Sequence, residues 1–114
     1  MEIQVEARNG IRVVGLIGRL DTSTSPDLEK RLLGLAYAGE RRLVLDFGGV
    51  EYISSAGLRV LLLVVKRLRA AGGELVLCTL GPAVRQVFEL AGFIAIFPIE
   101  ASRAAAVERA AAPR

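Results

Sequence analysis

The chain has 114 residues, of which 53% are hydrophobic and 24% are charged, with one cysteine, no histidine and a net charge of +3. This length predicts a single domain over residues 1–114, with enough apolar residues to cover a sheet on both faces. The lack of histidine removes the commonest general base and metal ligand, and one cysteine cannot build a disulfide within the chain or a thiolate zinc site. These absences argue against an enzyme.

The basic residues are spread along the chain instead of being clustered. Of the 15, 13 are arginine, and they run from Arg8 to Arg114 without a dense patch or interleaved aromatics, which argues against nucleic-acid binding. The longest apolar run, residues 60–65, is too short to cross a bilayer, and no secretory signal pattern opens the chain. With Cys78 unpaired, we expect a cytoplasmic protein without membrane insertion.

The opening segment has the pattern of a β-hairpin. Apolar and polar residues alternate over residues 1–8, which predicts a half-buried strand. Asn9-Gly10 predicts a two-residue turn, because both positions tolerate positive φ. Residues 11–17 form a more apolar returning strand, so the first two strands are expected to be antiparallel neighbours.

The remainder alternates between helical patterns and short apolar runs. Ser25 is expected to cap the first helix, with Pro26 at its first position and Gly39 at its end. Gly48-Gly49 is expected to end the strand that follows. After the first helix, the predicted segments are a strand over 43–47, a helix over 56–71, a strand over 75–78, a helix from Gly81-Pro82 to Gly92, a strand over 94–97, and a helix over 101–112 that frays at Pro113.

This order of elements predicts the fold class. The order ββαβαβαβα alternates apolar strands with helices, which is typical of parallel crossovers. The opening hairpin adds an antiparallel edge. We therefore predict an α/β fold with a mixed central sheet and helices packed against it.

Residues 46–63 carry a recognisable motif, Asp-Phe-Gly-Gly-Val-Glu-Tyr-Ile-Ser-Ser-Ala-Gly-Leu-Arg-Val-Leu-Leu-Leu. It resembles the signature of bacterial anti-sigma factor antagonists with a STAS fold, in which a strand ends in Asp or Asn and Asp-Ser-[Ser/Thr]-Gly-Leu opens a helix. Residues 18–21, Gly-Arg-Leu-Asp, resemble the family's Gly-x-Leu-Asp after the second strand. Residues 72–75, 82–85 and 88–92 match its later elements in order, so the resemblance covers roughly residues 2–100.

The resemblance implies a non-enzymatic switch protein. In the family, the serine after the motif's aspartate accepts a phosphoryl group from an anti-sigma factor that is also a serine kinase, and that serine matches Ser55. The chain departs from the motif at Ser54, which replaces the aspartate, and at Ala56, which replaces Ser or Thr. The implied partners are the kinase and a serine/threonine phosphatase. The nucleotide belongs to the kinase, so no cofactor is expected.

Ser54 and Ser55 also have a purely structural interpretation. Both precede an apolar helix, where a serine oxygen commonly accepts a hydrogen bond from a free helix N–H. The resemblance favours Ser55 as phosphoacceptor and Ser54 as cap, although the two roles could be exchanged. Asp21 is either a turn residue or, as the resemblance implies, a neighbour of Ser55 that touches the kinase.

The helix after Ser55 suggests a partner-binding surface. Leu58, Leu61, Leu62, Val65 and Leu68 form the expected core stripe. On the opposite side, Leu63 lies among basic residues that include Arg59, with Val60 at the edge of the stripe. We predict that Arg59, Val60 and Leu63 contact the partner, because interfaces have an apolar centre within a polar rim.

Three further patterns are set aside. Asp46-Phe47-Gly48 imitates the magnesium-binding triplet of protein kinases, but the chain lacks the other kinase motifs. Residues 15–18 are not a phosphate-binding loop, because no Gly-Lys-Ser/Thr follows. Cys78 is expected to be a buried small hydrophobe.

Two questions stay open at this point. The chain could instead be a constitutive STAS adaptor subunit of a membrane transport complex, with Ser55 only a cap. The expected oligomeric state is a monomer or a weak dimer.

Overall fold

The computed structural model describes residues 1–112, which form a five-stranded sheet and four helices. The elements in chain order are β1 Glu2–Arg8, β2 Ile11–Leu20, α1 Ser25–Tyr37, β3 Arg42–Ile53, α2 Ser55–Ala70, β4 Glu74–Cys78, α3 Pro82–Leu90, β5 Ile99–Glu100 and α4 Arg103–Ala111. The strand order is β1-β2-β3-β4-β5, with β1 antiparallel to β2 and the others parallel. The predicted fold class and element order are confirmed.

Three helices cover one face of the sheet and α4 covers the other. Each step from β2 to β5 moves in the same direction across the sheet, so right-handed crossovers place α1, α2 and α3 on one face. Successive side chains of a strand point to opposite faces of the sheet, so each strand contributes to the cores on both faces. Leu43 and Leu45 belong to the large core under these helices, and Val44 belongs to a smaller cluster under α4. The central strands β3 and β4 therefore contain continuous apolar runs.

The N-terminal hairpin and the last helix agree closely with the prediction. Asn9 and Gly10 have φ values of 52° and 77°, as the predicted hairpin turn requires. The C-terminal helix begins at Arg103, slightly later than predicted, because Ser102 caps it by accepting the Ala105 N–H at 3.1 Å. The predicted fraying at Pro113 lies outside the described residues.

The prediction that a strand ends at Gly48-Gly49 is wrong. The strand continues to Ile53, and the glycines serve a close approach to β2. A Cβ at Gly49 would lie 2.8 Å from the Leu16 carbonyl oxygen, at a register irregularity between the two strands. Because β3 continues past this point, its end reaches the same edge of the sheet as the end of β2.

The predicted strand over residues 94–97 is also wrong. This segment is a turn in which the Ile96 N–H donates to the Phe93 carbonyl at 3.0 Å, and the last strand is Ile99–Glu100. Phe97 is buried, and its ring packs edge-on against Phe88 with centroids 5.9 Å apart. The segment is apolar because it closes the core beside α3, and a short apolar run looks the same whether it is a strand or a buried turn.

Arg103 is the centre of an ion-pair network that joins α4 to the sheet. Arg103 donates from Nε to Asp46 Oδ2 at 2.7 Å and from Nη1 to Glu6 Oε1 at 2.8 Å. Asp46 also accepts the Gly48 N–H at 2.8 Å. Burial raises the pKa of Asp46, but the hydrogen bonds from Arg103 and Gly48 and the Arg103 charge outweigh it, so the pKa lies below its usual value.

Two helical glycines offer a matched test of the packing that positions α2. A Cβ at Gly57 would lie 2.7 Å from Leu20 Cγ and 3.0 Å from Ile53 Cγ1, whereas a Cβ at Gly34 would meet nothing within 4 Å. We expect Gly34→Ala to raise the free energy of unfolding by about 0.5–1 kcal/mol through helix propensity. Gly57→Ala should lower it by about 1–3 kcal/mol through overpacking. Urea denaturation measures both, and stabilisation by both variants would contradict this packing.

The Asp46–Arg103 pair should give stability a defined pH dependence. Asp46→Asn is expected to lower the free energy of unfolding by about 1 kcal/mol at neutral pH, since Arg103 is partly exposed. Because folding lowers the Asp46 pKa, this contribution is complete above the unfolded-state value of about 3.9 and is lost as pH falls through the folded-state value.

Thermal unfolding of both proteins as a function of pH measures this effect. The difference between wild type and Asp46→Asn should shrink as the medium becomes acidic. Glu108→Gln, on the exposed side of α4, is the matched control and should change little at any pH. A difference that stays constant from neutral to strongly acidic pH would refute the role of the pair.

Candidate functional site at the sheet edge

The end of β2 and the end of β3 meet at one edge of the sheet. Leu20 is the register partner of Ile53, and the Ser54 N–H donates to the Leu20 carbonyl at 2.9 Å. The residues that follow in each strand, Asp21 on one side and Ser54-Ser55 on the other, therefore leave the sheet side by side. The structure brings together the two segments that the sequence marked as candidates.

The structure assigns the capping role to Ser54. Its backbone is extended, its Oγ accepts the Gly57 N–H at 3.4 Å, and its carbonyl accepts the Leu58 N–H at 3.0 Å. Ser55 is the first residue of α2, it is exposed, and within residues 1–112 its hydroxyl makes no hydrogen bond. The Ser55 side chain is thus not used to hold the fold.

The start of α2 is electrostatically suited to an anion. The N–H groups of the first turn, including those of Ser55 and Ala56, have no carbonyl partner within the helix, and the helix dipole makes this end positive. The first turn contains no acidic residue. A phosphate on Ser55 would meet donors and positive charge at this position.

Asp21 is held in a tight turn. Its Oδ1 accepts the Ser23 hydroxyl at 2.8 Å, the Ser23 N–H at 3.0 Å and the Thr24 N–H at 3.1 Å. The hydrogen bond from the Ser23 side chain, followed by that from the Thr24 backbone, holds the pKa of Asp21 below its usual value. Asp21 therefore stays ionised at neutral pH, and its other oxygen lies 3.9 Å from the Arg19 Nε.

The prediction that Ser25 caps α1 is wrong. Ser25 is the first residue of the helix, only 3% exposed, and its hydroxyl donates to the Asp21 carbonyl. The residue at the cap position is Thr24, whose hydroxyl oxygen accepts the Asp21 N–H at 2.9 Å and donates to the Arg19 carbonyl at 2.7 Å. The Ser/Thr-rich segment thus ties the turn to the end of β2 instead of capping the helix with a side chain.

The predicted partner contacts on α2 differ in accessibility. Arg59 is exposed and forms no ion pair within residues 1–112, and Leu63 is half-buried. Val60 is only 5% exposed, so it lies within the core stripe instead of at its edge, and its contact with a partner stays a prediction. The core stripe of α2 is wider than predicted, because both α1 and the sheet pack against this helix.

A groove between α1 and α2 was not anticipated from the sequence. It has a volume of about 800 Å³ and begins beside Ser55, at Ala56. The lining residues are Thr22, Ser25, Pro26, Glu29, Lys30, Leu33, Gly34, Tyr37, Ala56, Arg59 and Val60. The sequence carries a signal for this groove, since Pro26, Lys30, Leu33 and Tyr37 recur at helical spacing and form a second face of α1 beside the buried Leu28 and Leu32.

Comparison with known proteins identifies the family. A family model described as the STAS domain matches residues 2–106. The chain belongs to the STAS family. BtrV of Bordetella bronchiseptica, named as a candidate anti-sigma factor antagonist, is 48% identical over all of both chains.

Two solved structures share this STAS fold. An anti-sigma factor antagonist from Mycobacterium paratuberculosis is 28% identical, with a TM-score of 0.87 over 96% of this chain and 92% of that chain. SpoIIAA, a Bacillus cell fate determinant solved in its phosphorylated form, is 22% identical, with a TM-score of 0.74 over 95% of this chain and 98% of that chain.

Within residues 1–112, no helix of this STAS domain is long and apolar enough to span a bilayer.

The division of roles between the two serines can be tested by stability measurements. Ser54→Ala should lower the free energy of unfolding by about 0.5–1 kcal/mol, because it removes the α2 cap. Ser55→Ala, the matched control, should change it by less than about 0.5 kcal/mol, since the side chain is exposed and unbonded. Chemical denaturation of both variants measures these values. A larger loss of unfolding free energy for Ser55→Ala than for Ser54→Ala would show that Ser55 is the cap and Ser54 the free hydroxyl.

Proposed function

We propose that this STAS domain is an anti-sigma factor antagonist that binds a kinase-type anti-sigma factor and is switched off by phosphorylation of Ser55. It thereby regulates sigma-factor-dependent transcription. The observation that carries the proposal is the exposed hydroxyl of Ser55, free of hydrogen bonds, on the first residue of α2. The names of the relatives and the phosphorylated state of SpoIIAA support it.

The helix start allows Ser55 to carry a phosphate without loss of the fold. A phosphoserine adds about −1.5 to −2 charges and three acceptor oxygens. The first-turn N–H groups and the helix dipole stabilise these charges. Arg59 lies one helical turn further on and is free to pair with the phosphate.

The effect of the phosphate is therefore expected at the interface. A doubly charged group placed against a partner surface that fits the unmodified serine adds desolvation and repulsion. About 1.4 kcal/mol lowers the affinity tenfold, so a modest repulsion is enough. Unmodified protein then binds the anti-sigma factor and frees the sigma factor, and a serine/threonine phosphatase restores the binding form.

The remaining candidate residues have defined parts in this proposal. Asp21, held ionised beside Ser54, offers the kinase a fixed negative group. Ser54 in place of the family's aspartate leaves the start of α2 without a carboxylate. The incoming phosphoryl group therefore meets less repulsion at Ser55 than it would beside a second negative charge.

Phosphorylation and binding can be tested with four proteins. Wild type and Ser54→Ala should be labelled by the cognate kinase and ATP, whereas Ser55→Ala should not, because only Ser55 is the acceptor. Ser55→Asp should bind the anti-sigma factor at least about tenfold more weakly than Ser55→Ala, because a charge occupies the interface. Mass spectrometry and isothermal titration calorimetry measure the two effects. Equal binding by Ser55→Asp and Ser55→Ala, with no labelling, would favour the constitutive transport adaptor instead.

A further inference from the structure

The groove between α1 and α2 begins beside Ser55, the proposed phosphorylation site. The proposed phosphorylation of Ser55 does not require the groove. We infer that this groove receives an amphipathic, acidic segment of the anti-sigma factor, with apolar side chains in the groove and carboxylates toward the basic side of α2. This inference rests on the proposed function. It adds a second contact area to the one formed by Asp21, Ser54 and Ser55.

The shape of the groove suits a helix or loop that presents apolar side chains. Its volume of about 800 Å³ is comparable to that of a small-molecule pocket, so it has room for side chains of a partner. Val60 and Ser25, both buried, lie at its base, and Leu33 is half-buried along its side. The groove therefore offers apolar surface that water covers in the free protein and that a partner could bury.

Tyr37 provides an anchor at the end of the groove. Its side chain is 75% exposed, which is unusual for a large aromatic residue on a small domain. Its hydroxyl accepts a hydrogen bond from Arg67 Nη1 at 3.0 Å, so α2 holds the ring in position. Tyrosine is one of the residue types that are enriched among those dominating the binding energy of interfaces.

The charges around the groove select an acidic occupant. The 16 residues of α2 include Arg59, Lys66, Arg67 and Arg69 and no acidic residue. Neither Arg59 nor Lys66 forms an ion pair within residues 1–112. Among the residues that line the groove, Lys30 adds a second positive charge to that of Arg59, and Glu29 is the one acid, while Asp27 of α1 lies outside the lining. A second copy of the chain would place two basic α2 surfaces together, which like charges disfavour.

Arg59 connects this groove to the phosphorylation site. It lines the groove and lies four residues after Ser55, on the same side of the helix. A phosphate on Ser55 attracts the Arg59 guanidinium and removes a positive charge from the groove. Phosphorylation would then weaken docking in the groove as well as contact at Ser55 itself.

The experiment compares matched variants of the whole chain in binding to the purified cognate anti-sigma factor by calorimetry. Tyr37→Ala and Lys30→Glu change the groove, and each should weaken binding at least tenfold. Leu90→Ala and Arg31→Glu are their controls, since Leu90 is 82% exposed on α3 and Arg31 is the exposed neighbour of Lys30 outside the groove. Both controls should stay within twofold of wild type, and circular dichroism checks that every variant is folded.

The outcomes separate the groove from the proposed function. If Ser55→Asp weakens binding but both groove variants bind like wild type, the groove inference is overturned and the proposed function stands. If wild type does not bind the anti-sigma factor, the proposed function fails and the inference fails with it. A dimer seen by analytical ultracentrifugation that Tyr37→Ala abolishes would assign the groove to a second copy and overturn the inference.

Discussion

The pairing of β2 with β3 up to Leu20 and Ile53 is the constraint on which the candidate site depends. Because the last ladder hydrogen bond runs from the Ser54 N–H to the Leu20 carbonyl, the chain can turn into α2 only next to the Asp21 turn. Gly49 allows the two strands to remain close enough for this, and Gly57 lets α2 pack directly on Leu20. The close packing that Gly49 and Gly57 allow therefore sets the positions of Ser54 and Ser55.

The site separates the requirements of the fold from those of a switch. The fold uses Ser54 as the cap of α2, Thr24 as a hydrogen-bonding partner of β2 and Ser25 as a donor to the Asp21 carbonyl. The Asp21 carboxylate is the acceptor at the centre of the turn. Ser55 has none of these duties. A charge can be added there at little cost to folding because the end of a helix already favours anions. The same charge is unfavourable at an interface that fits a neutral hydroxyl. Phosphorylation therefore lowers the affinity for the partner more than it lowers the stability of the fold.

Local patterns allowed the element order, the hairpin turn and the start of α2 to be predicted, because each depends on neighbouring residues. The errors came where distant contacts decide the structure. Gly48-Gly49 looks like a strand end until the approach of Leu16 is known, and residues 94–97 look like a strand until Phe97 is seen to pack on Phe88. Val60 is buried at the base of the groove that α1 forms with α2, and the Asp46–Arg103 pair joins residues 57 positions apart. Contacts between residues far apart in the chain leave no sign in the local periodicity of the sequence.

The burial of Cys78 beneath α4 has a practical consequence. Its side chain is fully buried next to the small α4 cluster, and burial raises the pKa of its thiol, so the reactive thiolate is scarce. Because residues of α4 pack in the same buried cluster, separation of α4 from the sheet would expose this single sulfur to a thiol-specific reagent. The rate of its alkylation would report how often the C-terminal helix opens, which makes the natural protein its own probe of local unfolding without an introduced label.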